Sequence, residues 1–205
     1  MTPKTKLSRA EQKALRPVQI LDAAFEEFVA KGFTATRVED IADRIGVTKG
    51  TVYVYFPTKE DLFTAMLNHM AVSFGGLLAE VKALTGSCQE RLHALILLFY
   101  DHAVKERRTR ELMRFVISEN TRFPQVFDMH HEQFIEPLLA QIQHVIDEGI
   151  AAGEFRKGPA ANAGVIASPI QAMIVQHLIF NGRQPIDLEA HIEGHLDLVM
   201  TGLRA

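Results

Sequence analysis

Apolar positions recur along this chain with a period close to that of an α-helix. Leu21, Ala24, Phe25 and Phe28 fall at i, i+3, i+4 and i+7, which is one face of a helix. Few stretches alternate with period two, and β-rich runs bounded by turn residues are absent. The pattern predicts helices over 18–31, 38–45, 49–55, 59–82, 88–105, 108–119, 124–151, 160–181 and 187–203. Start signals of the form Ser/Thr-x-x-Asp/Glu stand at Ser8–Glu11, Thr36–Glu39, Thr58–Asp61 and Ser87–Glu90. In each, the hydroxyl can accept a backbone N–H while the carboxylate reaches back. Pro17 and Pro159 suit first turns, Gly32 suits a helix end, and Asp187 suits a cap. Pro137 and Pro169 fall inside helical patterns, where proline kinks or divides a helix.

Composition allows a sizeable core: 47% of the 205 residues are apolar and 23% are charged. The net charge of −3 argues on its face against a nucleic-acid binder, but the average hides an asymmetry. Lys4, Lys6, Arg9, Lys13 and Arg16 face only Glu11 within the first 16 residues, while 64–205 carry an excess of acid. A basic N-terminal arm on an acidic protein either meets phosphate at one end or is a solvated tail. The single cysteine, Cys88, precludes an intramolecular disulfide and fits a reducing cytoplasm. No apolar run of signal-peptide type opens the chain. The most apolar stretch, 163–180, is interrupted by Ser168, Pro169, Gln171, Gln176 and His177, and reads as a core or interface helix rather than a membrane span.

Residues 36–63, TRVEDIADRIGVTKGTVYVYFPTKEDLF, carry the chemistry. A short helix places Val38, Ile41, Ala42 and Ile45 on one side, and Ala42 leaves room for a close helix crossing. Gly46 suits the positive φ of a tight turn. Val47 plugs the angle, and Thr48 caps a second short helix that sends Val52 inward. Two helices joined by such a turn describe a helix-turn-helix, whose second helix enters the major groove. Lys49 offers a cation to phosphate or guanine, Gly50 a close backbone approach, and Thr51 a hydroxyl and a methyl to a base edge. Tyr53 and Tyr55 can reach phosphate and sugar. Lys59 adds charge at the next helix start. Val54 cannot hydrogen-bond, so any contact it makes goes to a thymine methyl.

The run IADRIGVTKGTVYVYFPTKEDLF resembles the signature of the TetR family through Ile41, Ala42, Gly46, Val47, Thr48, Gly50, Thr51, Val52, Tyr53, Tyr55, Phe56, Lys59, Glu60 and Leu62. Ala24, Phe28, Gly32 and Phe33 fit the helix that precedes it. The resemblance implies an all-α fold, with a three-helix DNA-binding domain over 1–63 and a six-helix ligand-binding and dimerisation domain over 64–205. It implies a dimeric repressor that grips operator DNA and is released by a small apolar or amphipathic effector. It makes Thr36, Arg37, Thr48, Lys49, Gly50, Thr51, Tyr53, Tyr55 and Lys59 the DNA-contact set. Where some members have a hydroxyl residue this chain has Val38, so a phosphate contact there falls to Thr36 or Arg37.

Residues 114–139 also resemble a subgroup related to regulators of multidrug efflux, the AcrR-like type. In the family, long central helices surround an apolar cavity and the last two helices pair with their twins in a homodimer. Candidates for lining the cavity, chosen as apolar side chains with a few polar groups, are Phe99, His102, Met113, Phe115, Phe127, Met173, His177 and Phe180, and the alternative is that most are ordinary core residues. His130-His131-Glu132 and His191/His195 invite a metal reading; the second pair has ligand spacing at i, i+4 but no glutamate base and no third ligand, so surface or interface histidines are expected, with no metal and no cofactor. No phosphate-binding glycine loop or nucleophile motif is present, which argues against an enzyme. A ligand-independent architectural or accessory DNA-binding protein is the alternative reading.

Overall fold

The computed structural model describes residues 9–180, 183–184 and 187–205, with side chains for all of these except 9, 10, 72–75, 104 and 105. Lys4, Lys6 and Ser8, part of the basic arm and of the first start signal, lie outside the described residues. The described chain is helical: α1 (Arg9–Ala35), α2 (Val38–Arg44), α3 (Lys49–Tyr55), α4 (Lys59–Lys82), α5 (Cys88–Tyr100), α6 (Arg107–Glu119), α7 (Pro124–His130), α8 (Glu136–Ala151), α9 (Ala163–Phe180) and α10 (Leu188–Leu203). Two π-helical turns, Asp101–Lys105 and His131–Ile135, follow α5 and α7 directly. The second divides the 124–151 helix of the sequence pattern into α7 and α8, while the first makes the end of the 88–105 helix π-helical without dividing it. Pro137 then sits in the first turn of α8, where its missing N–H costs no helical bond.

The start signals resolve unevenly. Ser87 and Glu90 form a reciprocal capping box on α5, and Thr58 and Asp61 exchange the same bonds at α4. Asp187 accepts from the Ala190 N–H and caps α10. Thr36 is a correction: Arg37 occupies the cap position of α2, and the Thr36 hydroxyl is used elsewhere. Pro17 lies inside α1 instead of opening it, because α1 already runs from Arg9. Gly32, at φ 74°, interrupts α1 at the point where the pattern ends the helix.

The chain divides into two compact units, 1–69 and 70–205. In the first, Ile20, Ala24, Phe28, Ile41, Val52, Leu62 and Phe63 are fully shielded from solvent. Phe28, Phe33 and Phe63 form a ring cluster with centroids 5.0 to 5.8 Å apart, two of the three contacts being edge-on, a preferred aromatic geometry. Glu27, 7% exposed, takes the Nε and Nη2 of Arg44 at 2.8 Å and Lys31 at 2.8 Å, which ties α1 to α2. Lys31, and Arg44 after it, hold this carboxyl below its ordinary pKa against the opposing effect of burial.

In the second unit α5, α8 and α9 enclose a core of Leu92, Leu95, Ile96, Ile142, Ile146, Ile166, Ile170 and Ile174. α4 and α9 are long and apolar enough to cross a membrane by length and composition alone. In the fold, Ile166, Ile170, Met173 and Ile174 of α9 are buried in this core, while Val165 and Ile179 stay exposed. Phe155 tucks under Gly149 of α8, and Arg156 N–H donates to Leu203 O at 2.8 Å, anchoring the end of α10. A Cβ at Gly149 would overlap the Phe155 ring. Gly149→Ala is therefore expected to cost about 1–3 kcal/mol through overpacking, read as a lower urea midpoint at unchanged slope.

Candidate DNA interface and effector cavity

The α2–turn–α3 segment has helix-turn-helix geometry. Gly46 takes φ 68°, and the Val47 N–H returns to Ala42 O at 3.0 Å, which folds the chain back sharply. Ala42 is 1% exposed, and Val52 fastens α3 to the core from one side only. Thr48 caps α3 by accepting the Thr51 N–H at 3.2 Å, and the two threonine hydroxyls lie 3.0 Å apart. Thr48, Lys49, Gly50, Tyr53 and Val54 form the exposed side of the helix, with Thr51 and Tyr55 half-buried beside them. Arg37 is exposed at the start of α2.

Two residues of the expected DNA set are engaged by the chain itself. Thr36 is 1% exposed, and its hydroxyl donates to Gly32 O at 2.7 Å and Glu27 O at 3.1 Å. Lys59 Nζ donates to Thr36 O at 2.8 Å and Thr34 O at 3.3 Å, and lies 4.5 Å from the centre of the Phe33 ring. Both groups bind carbonyls around the point where Gly32 breaks α1, so Thr36 and Lys59 fasten that corner of the fold. Lys49 is also engaged: it meets Glu39 at 2.6 Å and lies over the Tyr53 ring. The Glu39 contact raises the Lys49 pKa and lowers that of Glu39. Glu39 is the residue at this surface that sequence reasoning missed, since a contact across ten positions leaves no local pattern.

A cavity of about 430 Å³ lies within the second unit, a size usual for small-molecule sites. Phe99, His102, Met113 and Phe127 of the expected set line it. Phe115, Met173, His177 and Phe180 do not. On α6 the lining residues are Thr109, Leu112, Met113 and Val116, and on α9 they are Ala167, Ile170, Gln171 and Ile174. Each group is spaced i, i+3, i+4, i+7, one face of its helix. Phe115 lies two residues from Met113, about 200° around α6. Met173, His177 and Phe180 run along a neighbouring stripe of α9. Helical spacing is thus the signal that finds the cavity, and residue type is a poorer one.

The polar lining is sparse: His102, Thr109, Asn120, Asp128, His130, His131 and Gln171. His102 Nδ1 lies 3.2 Å from Glu106, and His131 Nδ1 3.6 Å from Glu136. Burial, and after it the charge of His131, lowers the pKa of His130. Both π-helical turns contribute to the wall, through His102 and Ala103 on one and His131 and Ile135 on the other. Such turns are frequent at functional sites.

His191 and His195, one turn apart on α10, pack edge-on against Tyr100, whose hydroxyl is 2.9 Å from His195 Nδ1. Burial pushes the Tyr100 pKa up to about 12 and lowers that of His195. A histidine whose folded pKa is depressed leaves stability intact above its unfolded value of 6.5 and loses it as pH falls through the folded value. His130 has the same sign. The melting temperature of the protein is therefore expected to fall as pH drops below about 6.5. Replacing His195 by Gln should flatten that part of the profile in thermal melts.

Comparison with known proteins places the chain. Residues 20–66 match the family model described as bacterial regulatory proteins, tetR family, and 83–199 match the tetracyclin repressor-like C-terminal domain. The chain belongs to the TetR family of transcriptional regulators. It is 27% identical over 194 residues to the HTH-type transcriptional activator FasR of Mycolicibacterium smegmatis, spanning 90% of this chain and 81% of that protein. It is 26% identical over 153 residues to the fatty acid metabolism regulator protein of Bacillus subtilis, spanning 72% and 75%. Its fold matches the crystal structure of the Bacillus subtilis regulator FadR in complex with stearoyl-CoA, with a TM-score of 0.66 over 91% of this chain and 99% of that one, at 23% identity. The all-helical, TetR-like fold expected from the sequence is the one observed.

Proposed function

We propose that this chain is a repressor that binds operator DNA as a homodimer and releases it when an effector with a long apolar chain fills the cavity of the second unit. Residues 1–63 form its DNA-binding domain and 64–205 its effector and dimerisation domain. The observation that carries the reading is an apolar cavity in a chain that also holds a helix-turn-helix with an exposed reading face. Leu77 of the cavity wall belongs to α4, the helix whose first residue, Lys59, fastens the corner behind that motif. The names of the Bacillus subtilis relatives favour fatty-acid chemistry rather than the efflux-related subgroup that the 114–139 resemblance implied, and an acyl chain fits the small apolar or amphipathic effector expected. Arg37, Thr48, Lys49, Gly50, Thr51, Tyr53 and Tyr55 face the DNA in this reading. Phe99, His102, Met113 and Phe127 face the effector. Val165, Ile179 and Leu198, all more than half exposed on α9 and α10, are the apolar surface a twin subunit would cover.

An effector shifts the balance only by its differential affinity for the two states, about 5.5 kcal/mol for a complete switch. The test is anisotropy with genomic fragments selected by the protein, at several salt concentrations, followed by titration with acyl-CoA of increasing chain length. Tight binding that weakens steeply with salt and is reversed by one range of chain lengths supports the reading. A failure to enrich any fragment sinks it. Within the same assay, Glu39→Gln is expected to free Lys49 and remove a negative charge near phosphate. Non-specific affinity should rise, and the dependence of log K on log salt should steepen by about one.

A further inference from the structure

We infer that the recognition helix reads its operator chiefly through thymine 5-methyl groups, with Val54 as the residue that packs on them and Gly50 as the gap that lets the helix close in. This rests on the DNA-binding reading above. Val54 is 79% exposed, more than any other large apolar side chain among the described residues. It lies two residues from Val52, the buried anchor of α3, and so about 200° around the helix, on the side farthest from the core. Gly50 stands one turn earlier on the same outward side.

Among the described residues nothing requires glycine at position 50. A Cβ there would meet only Thr48 Oγ1, at 3.7 Å, an ordinary contact, and its φ lies outside the left-handed region. Glycine within a helix is unfavourable relative to alanine, so its use here fits a close approach from outside. The hydrogen-bonding side chains nearby are largely engaged. Lys49 is paired with Glu39, and the Thr48 and Thr51 hydroxyls lie within hydrogen-bonding distance of each other. Beside Tyr53, what the helix presents outward at its centre is a bare backbone and a branched aliphatic side chain. Among the groups on the floor of the major groove, the thymine methyl is the apolar one.

The experiment uses the full-length protein and an operator duplex obtained by selection. Each thymine of a half-site is replaced in turn by deoxyuridine, which removes the methyl and keeps every hydrogen-bonding group. At one or two positions binding should weaken about fourfold per methyl, the equivalent of one buried methyl(ene) group, and about fifteenfold when both half-sites are changed. Val54→Ala should erase that difference, binding thymine and uracil duplexes equally, with a nearly unchanged melting temperature because the side chain is 79% exposed. Gly50→Ala should keep or raise the melting temperature and lose at least tenfold in operator affinity. Tight operator binding that is indifferent to every uracil substitution would overturn the inference while leaving the DNA-binding reading intact. Retention of the thymine preference by Val54→Ala would overturn it in the same way. Failure to select any duplex overturns both.

Discussion

Replacing Phe63 by alanine is expected to abolish operator binding by unfolding the DNA-binding unit rather than by touching its reading face. Phe63 is fully buried and makes edge-on contacts with Phe28 at 5.0 Å and Phe33 at 5.1 Å. Truncating a buried phenylalanine costs about 3–5 kcal/mol, through lost burial and the cavity left behind. The whole stability of a domain is of the order of 5–15 kcal/mol, and this unit is small. The loss also reaches the reading face indirectly. Phe33 supplies the ring over which Lys59 lies, and Lys59 holds the carbonyls of Thr34 and Thr36 just ahead of α2. Circular dichroism melts should show a low-temperature transition from this unit, and anisotropy should show loss of specific and non-specific binding alike. Phe63→Leu, which keeps most of the apolar volume, should lose much less. If Phe63→Ala melts like the parent yet fails to bind, the cluster would have a role in recognition that its burial does not explain.

Filling the cavity should uncouple the protein from its effector while leaving DNA binding in place. Ala167 of α9 is 7% exposed and lines the cavity beside Ile170 and Ile174. Ala167→Phe would project a ring into about 430 Å³ of space. The ring gains contacts the void did not offer, so the overpacking cost typical of a tight core is offset and the melting temperature should hold or rise. The effector concentration that releases half of the bound operator should increase at least tenfold, equivalent to about 1.4 kcal/mol of binding. Operator affinity without effector should stay within a factor of about two or three, well under that tenfold change. Release at the parental concentration would show that the effector binds elsewhere.

How much of this is legible from residue order depends on the range of the interaction. The helix-turn-helix is built from local contacts: Ala42, Gly46, Val47, Thr48 and Val52 all act within about ten residues of one another, so spacing alone exposes them. The caps at Ser87 and Asp187 and the break at Gly32 are likewise set by neighbours in the chain. The π-helical turns are not, because an extra residue per turn leaves no mark on a hydrophobic pattern, and the one at His131–Ile135 divides a helix that the pattern runs together.

Which face of each helix meets the cavity is a matter of packing. Met113 and Phe115 are equally plausible as lining by residue type, yet the rotation of α6 puts Met113 in the wall and Phe115, 2% exposed, in the interior. The roles of Thr36 and Lys59 turn on the same distinction. A lysine and a threonine at the edge of a DNA-binding motif carry the chemistry to meet phosphate. Whether they do so is set by the nearest unsatisfied acceptors, and here those are backbone carbonyls brought close by the break in α1. Periodicity and side-chain chemistry are enough to specify the helical class and the helix-turn-helix, because each acts over a few neighbouring positions, and the family resemblance names candidate DNA contacts from them. Which of those residues stay exposed to touch it emerges only in the folded chain, because that depends on partners distant in sequence.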